Sequence, residues 1–178
     1  EKVIPMGGGL GGGSSNAAVT LLALNDLFDL GHSVDELVVK GAALGADVPV
    51  FVRGTSAWAE GVGDELTPLE LPTRWFVIIY PDCHVSTPEI FGAPELTRNT
   101  PPITVSAFFE GPVRNDLQPV AESRYEQVST AIKWLSNHGS AMMTGSGACV
   151  FASFQSQAEA QRVAEAANGE FSVFVAKG

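Results

Sequence analysis

Pro5-Met6-Gly7-Gly8-Gly9-Leu10-Gly11-Gly12-Gly13-Ser14-Ser15-Asn16-Ala17-Ala18 places six of the 19 glycines of the chain in one short run around a single leucine. Such density serves the backbone, not a core. Glycine enters positive φ freely and carries no Cβ, so successive N–H groups can converge on one ligand. A helix follows: Ser14 or Ser15 is a good N-cap, and Ala17, Ala18, Val19, Leu21, Leu22, Ala23, Leu24 and Leu27 combine strong helix formers with an apolar face. Glycine loop, hydroxyls and helix N-terminus together make an anion cradle, because unpaired N–H groups and the positive end of the helix dipole point the same way. The expected ligand is a phosphate.

Two familiar phosphate loops do not fit this stretch. The P-loop needs Gly-Lys-Ser/Thr, and the chain has Gly13-Ser14-Ser15 with no lysine. Gly7, Gly9 and Gly12 match the dinucleotide fingerprint G-x-G-x-x-G, as any glycine-dense run does, but no acidic residue follows at the end of a second strand. A flexible linker is the bland alternative. It suits the run poorly, since linkers do not pass directly from an apolar strand at Lys2 to Ile4 into an alanine-leucine helix.

Working outward, the first helix is predicted to end near Leu30, with Gly31 in the left-handed closing position. A second begins at once, since Ser33-Val34-Asp35-Glu36 is a capping box, and Gly45 ends it. Next comes Gly45-Ala46-Asp47-Val48-Pro49-Val50-Phe51-Val52, one carboxylate among small and apolar residues. Its neighbours call for burial, and a buried carboxylate needs donors or a cation. Alternatively, Asp47 caps a turn before Pro49. Strands are predicted at Thr55 to Val62 and Asp64 to Leu71, joined by a turn at Gly61-Val62-Gly63.

A domain boundary is placed between Pro72 and Thr73, giving an N-terminal domain over 1–72 and a C-terminal one over 73–178. Trp75 to Tyr80 is a continuous apolar strand of the kind buried on both faces or at a domain seam. His84, in the loop after it, receives no role. Pro94 to Pro102 reads as surface loop, Tyr125 to Asn137 as an amphipathic helix stopped by Gly139, and Cys149 to Phe154 as a strand. Ser156 to Glu159 is a second capping box, and Phe171 to Ala176 closes the sheet. The fold class is therefore α+β, the second half being a mostly antiparallel sheet with helices on one face, of ferredoxin-like type.

Composition narrows the partners. The chain is 45% hydrophobic and 17% charged, ordinary for a globular protein, and its formal net charge is −10. No basic run exists to neutralise nucleic-acid phosphates or anionic lipids, so neither nucleic acid nor membrane is expected as a partner. A polyanionic nucleotide must be held by local dipoles, glycine N–H groups and Mg²⁺. Cys83 and Cys149 are isolated in sequence, without metal-binding or disulfide spacing, and read as the reduced thiols of a cytoplasmic protein.

Three motifs in order carry a family resemblance: Pro5 to Ala18, then Leu44-Gly45-Ala46-Asp47-Val48-Pro49-Val50-Phe51, then Thr144-Gly145-Ser146-Gly147-Ala148-Cys149-Val150. Together they resemble the GHMP kinases along the whole chain. The resemblance is greatest to the member that uses ATP to phosphorylate the 2-hydroxyl of a cytidine diphosphate sugar alcohol, in non-mevalonate isoprenoid synthesis. It implies ATP and Mg²⁺ as cofactors, with the nucleotide held by Pro5, Met6, Gly7, Gly8, Gly9, Leu10, Gly11, Gly12, Gly13, Ser14, Ser15, Thr144, Gly145, Ser146 and Gly147. It implies Asp47 as the catalytic aspartate facing the substrate hydroxyl. Ser86-Thr87-Pro88-Glu89-Ile90-Phe91 resembles the segment whose threonine and aromatic ring border the cytidine pocket, here Thr87 and Phe91; Phe91 may equally be core. Asn115-Asp116-Leu117 resembles a structural helix start of the family. By the same resemblance the chain looks cut, without the upstream strands that carry a catalytic lysine and part of the cytidine pocket. Another GHMP kinase, or a nucleotide-binding relative without activity, is the alternative.

Overall fold

The computed structural model describes residues 4–61, 63, 65–111, 113–167 and 169–178, and the chain divides into two units. One comprises Gly11–Pro72; the other joins the described residues up to Leu10 to Thr73–Gly178. The expected strand at Lys2 to Ile4 involves Lys2 and Val3, which lie outside the described residues, as do Val62 and Asp64 of the expected turn and strand.

Among its described residues the unit Gly11–Pro72 holds three helices and two paired strands. Helix α1 spans Gly12–Leu27, and its N-cap is Gly11 in the left-handed conformation at φ 65°. Ser14 and Ser15 thus lie inside the first turn, correcting their expected capping role. The helix ends at Leu27, short of Leu30, because Asp29 already turns to positive φ at 48°, ahead of Gly31 at 68°. Helix α2, Val34–Ala42, opens on the predicted box: Ser33 Oγ accepts from Glu36 N–H, and the Glu36 carboxylate accepts from Ser33 N–H at 2.8 Å. It stops before Gly45, and its Gly41 is buried instead, where a Cβ would meet Val48 at 2.9 Å. That close approach seats α2 on α3, Val48–Arg53, and Ala18, Leu37, Val48 and Val52 form the small core. Strands β1, Ala57–Glu60, and β2, Glu65–Pro68, pair antiparallel, each shorter than predicted. The apolar residues of α1 ring the helix and do not form one stripe: Ala18 is buried, whereas Val19 and Leu27 are exposed.

In the other unit, Trp75–Tyr80 is β3, followed by α4 (Thr87–Phe91), α5 (Val105–Glu110), α6 (Gln118–Arg124), α7 (Glu126–Ser136), β4 (Met142–Met143), β5 (Val150–Phe154), α8 (Gln157–Ala167) and β6 (Ser172–Lys177). The sheet runs β4-β5-β3-β6, all antiparallel. Strand order and element sequence are those of a β-α-β-β-α-β, ferredoxin-like layer with extra helices inserted after β3. Register aligns Val77 with Ala152 and Val175, and Ile79 with Val150 and Val173. This face packs on Val128, Ala131, Ile132 and Leu135 of α7 and Ala160 of α8, so β3 is fully buried on one face only. The α8 box is shifted by one residue: Ser156 Oγ accepts from Glu159 N–H at 3.2 Å, but the Glu159 carboxylate accepts from Gln155 N–H. Helix α5, capped by Thr104, has no counterpart in the sequence reading.

Leu135 is fully buried between α7 and the sheet, so Leu135→Ala leaves a cavity in the larger core. Denaturant unfolding should show a loss of about 2–5 kcal/mol; a loss below about 1 kcal/mol would mean that this face is not the centre of the core.

Candidate functional site

The glycine run begins as one half of a backbone lock. Gly7 O accepts from Ala148 N–H at 3.1 Å, and Gly8 O accepts from Cys149 N–H at 3.1 Å and from Thr144 Oγ1 at 2.6 Å. Side chains are excluded by closeness: a Cβ on Gly8 would lie 2.7 Å from Cys149 Sγ, and one on Gly9 2.6 Å from Thr144 Oγ1. Gly7 and Gly9 both adopt φ 71°, open to glycine. A trans peptide sets N–H opposite C=O, so turning the Gly7 and Gly8 carbonyls toward the Thr144–Cys149 loop turns the Gly8 and Gly9 N–H groups away from it. Among the described residues neither N–H has a hydrogen-bond partner.

The second loop is itself braced. Thr144 N–H donates to Cys149 O at 2.9 Å and Gly147 N–H to Thr144 O at 2.7 Å, with Gly145 and Gly147 at positive φ. Asn115 Nδ2 donates to Met143 O at 2.9 Å and Gly145 O at 2.7 Å, while its Oδ1 accepts from Leu117 N–H. Asn115 therefore closes the turn ahead of α6 and also holds the loop. Only a two-ended amide can do both, a signal the sequence carried in the residue type alone. Ser146 Oγ lies 2.7 Å from Thr87 Oγ1 at the start of α4, bringing together two predicted site residues of different motifs. Phe91, at the other end of α4, is 51% exposed, which removes the core alternative. His84, given no role by sequence, stands beside the first loop: a Cβ on Gly7 would fall 2.6 Å from its Nδ1. Pro5 is half-buried near Gly8, and Met6 is exposed.

In the unit Gly11–Pro72 the run continues into α1. A Cβ on Gly11 would meet the Phe51 ring at 2.7 Å. Ser15 N–H donates to Gly11 O at 2.8 Å as the first closed helical bond, which leaves the N–H groups of Gly12, Gly13 and Ser14 without intrahelical partners. Neither serine caps the helix, and no acidic residue sits in the first turn. Asp47 occupies the N-cap position of α3, but its side chain makes no capping bond. It is also exposed, contrary to the burial expected from its apolar neighbours. Val48 and Pro49 turn inward as the short helix begins, and the carboxylate is left facing solvent. Both the buried and the turn-capping readings of Asp47 are thereby overturned.

Chemically, the glycine run offers directional, uncharged donors with no lysine or arginine within it, and the Asp47 carboxylate at the head of α3 has no partner among the described residues. Among the described residues no group of three or more His, Cys, Asp or Glu side chains is placed to hold a metal ion.

Residues 1–55 match the family model described as GHMP kinases N terminal domain, and residues 104–173 that described as GHMP kinases C terminal. The chain is 52% identical over 178 residues to the 4-diphosphocytidyl-2-C-methyl-D-erythritol kinase of Alkalilimnicola ehrlichii, covering all of this chain and 61% of that protein. It is 54% identical to the enzyme of that name from Pseudomonas fluorescens, covering 63% of it. The chain thus spans about six-tenths of the length of these relatives. A crystal structure of 4-(cytidine 5'-diphospho)-2C-methyl-D-erythritol kinase superposes with TM-score 0.87 at 34% identity, over 99% of this chain and 68% of that one. Homoserine kinase from Cytophaga hutchinsonii shares the fold, with TM-score 0.67 at 21% identity over 99% of this chain and 67% of that one.

The lock also sets thiol chemistry. Burial beneath Gly8, and secondarily the charge of Cys83, push the Cys149 thiol up to about 11; burial, then Asp82, raises Cys83. Stability from keeping Cys149 neutral is complete below about pH 9 and is lost as pH rises toward 11. At pH 8 only about one Cys149 in a thousand is thiolate, so a thiol-reactive disulfide should label it at least about 100-fold more slowly in native than in denatured protein. Equal rates would contradict the packing of Cys149 under the loop.

Proposed function

Because the chain belongs to the GHMP kinase family, we propose that it carries the ATP loop and acceptor segment of a kinase that phosphorylates the 2-hydroxyl of 4-diphosphocytidyl-2-C-methyl-D-erythritol. The observation that carries the reading is that, among the described residues, the N–H groups of Gly8 and Gly9 in one unit, and those of Gly12, Gly13 and Ser14 in the other, have no hydrogen-bond partner, in a run without basic side chains. Such donors suit a polyphosphate, which accepts many directional hydrogen bonds. Similarity to kinases named for the cytidyl substrate supports the choice of acceptor. On this reading 1–72 belongs to the N-terminal and 73–178 to the C-terminal GHMP domain, and the protein works in the cytoplasm.

Each residue then has a role. Gly7 to Gly13, with Pro5, Met6 and Leu10 flanking, hold the nucleotide phosphates through backbone N–H groups. Thr144 to Gly147 keep that loop in place. Mg²⁺ would arrive with ATP and offset phosphate charge, and the uncommitted hydroxyls of Ser14 and Ser15 are the groups of this chain fit to meet it. Phosphoryl transfer passes through a loose transition state, so alignment of the acceptor hydroxyl with the γ-phosphate does most of the work. Asp47 orients that hydroxyl and takes its proton, a role open to an exposed carboxylate that no capping bond ties down. Phe91 stacks on the cytosine ring and Thr87 presents a hydroxyl to the same ligand.

Asp47→Asn in the full-length protein keeps side-chain size but removes the base. With ATP and the cytidyl substrate, kcat should fall by about 100-fold or more, the usual scale for losing a positioned acid–base group. ATP affinity by calorimetry and the melting temperature should stay close to wild type. Near-native turnover would overturn the assignment of Asp47, and a wild type that phosphorylates other GHMP substrates but not this one would overturn the choice of acceptor.

A further inference from the structure

Helix α4 has five residues, Thr87–Phe91, with Pro88 in its first turn. A helix this short has no stability of its own. Ile90 is fully buried and fixes one side, yet Thr87 and Phe91, the two residues assigned to the acceptor, both point out of the core. What holds their backbone is a set of polar ties reaching in from neighbouring segments. At the start, Ser86 N–H donates to Tyr125 Oη at 3.4 Å, and that hydroxyl donates to Glu89 Oε2 at 3.2 Å. In the middle, Arg124 Nη1 reaches both the carbonyl and the carboxylate of Glu89 at 3.4 Å. The same guanidinium is held from behind by Glu95 Oε1, at 2.9 Å from Nε and 2.7 Å from Nη2. At the end, Arg98 Nη2 donates to Phe91 O at 2.6 Å and to Ala93 O at 3.3 Å.

We propose that Arg98, Arg124 and Tyr125 are positioning residues that set acceptor affinity by fixing α4, and with it the Thr87 hydroxyl and the Phe91 ring; this rests on the reading of α4 as the acceptor segment given above. Half-exposed ion pairs such as Arg124 with Glu89 and Glu95 add little to global stability. Their geometry bears on something else: apart from the Arg98 bond to Ala93 O and the brace from Glu95, the ties land on backbone or on Glu89 within the stretch Ser86 to Phe91, next to an aromatic ring left in solvent. An exposed ring loses affinity if its backbone wanders, because rotational freedom must then be given up on binding. The clamp removes that freedom in advance. Arginine is the fitting residue, since its fork can hold Glu95 and Glu89 at once, whereas a lysine presents a single point charge.

The test uses the full-length protein with ATP and the cytidyl substrate, taking KM for each, kcat and melting temperature. Arg124→Gln should raise KM for the cytidyl substrate about tenfold, and Tyr125→Phe, which removes only the hydroxyl, about three- to fivefold, with KM for ATP within about twofold of wild type. Arg124→Lys should recover part of the Arg124→Gln loss. Phe91→Ala is the positive control for the acceptor segment. If Arg124→Gln does not fold, Tyr125→Phe decides alone. Cytidyl KM unchanged in folded Tyr125→Phe, or both KM values rising together, would overturn the clamp. A clamp that fails while Phe91→Ala still raises cytidyl KM leaves the acceptor reading intact; a wild type without turnover on the cytidyl substrate removes that reading and the clamp with it.

Discussion

The hydrogen bonds from Ala148 N–H, Cys149 N–H and Thr144 Oγ1 to the carbonyls of Gly7 and Gly8 are the constraint on which the candidate site depends. At Gly9 they bring the two backbones so close that a Cβ would collide with the Thr144 carbonyl, and at Gly8 a Cβ would collide with the Cys149 thiol. They also decide polarity. A peptide carbonyl committed to one side leaves its N–H on the other, so a structural bond within the protein becomes a free donor for something outside it. Asn115 and Gln118 extend the same logic outward, bonding the carbonyls of Met143 and Gly145 and the N–H of Met143, so that the lock rests on a braced hairpin.

Much of this was legible in the sequence where the signal was local. The Ser33–Glu36 box, the strand Trp75–Tyr80 and the helix Glu126–Ser136 follow from capping chemistry and periodicity, and they lie where those rules put them. Legibility failed where two local rules competed. At the head of α1 a serine cap and a left-handed glycine were both available, and the helix began at Gly12 because Gly11 could take φ 65° against the Phe51 ring. Asp47 was misjudged because burial was inferred from neighbours along the chain. A helix that starts at Val48 rotates its first apolar residues inward and leaves the N-cap outside, so linear neighbourhood is a poor guide there.

Within the candidate site, residues proposed to contact a ligand were easier to see than residues that hold them. Glycines, Asp47, Thr87 and Phe91 stand in recognisable motifs. Arg98, Arg124 and Tyr125 act through partners between 5 and 39 positions away, and nothing in their local sequence distinguishes them from solvated surface, while Asn115 stood in a motif read as a helix start that gave no sign of its hold on Met143 and Gly145. His84 beside Gly7 belongs to the same group, since its neighbour lies 77 positions earlier by residue number (84 − 7). Long-range pairing is a property of the fold, and a single sequence does not record it.

Charge gives the arrangement its last constraint. A chain of net charge −10 repels a nucleotide polyphosphate at a distance, so long-range steering does not favour the proposed ligand. Binding must come from short-range dipoles that act only after close approach, and these are insensitive to salt compared with exposed cations. The consequence is a demand for geometry: a lysine can swing to meet a phosphate, but a backbone N–H cannot. Every device described above, from positive-φ glycines to the braced hairpin and the clamped α4, answers that demand by fixing backbone before ligand arrives.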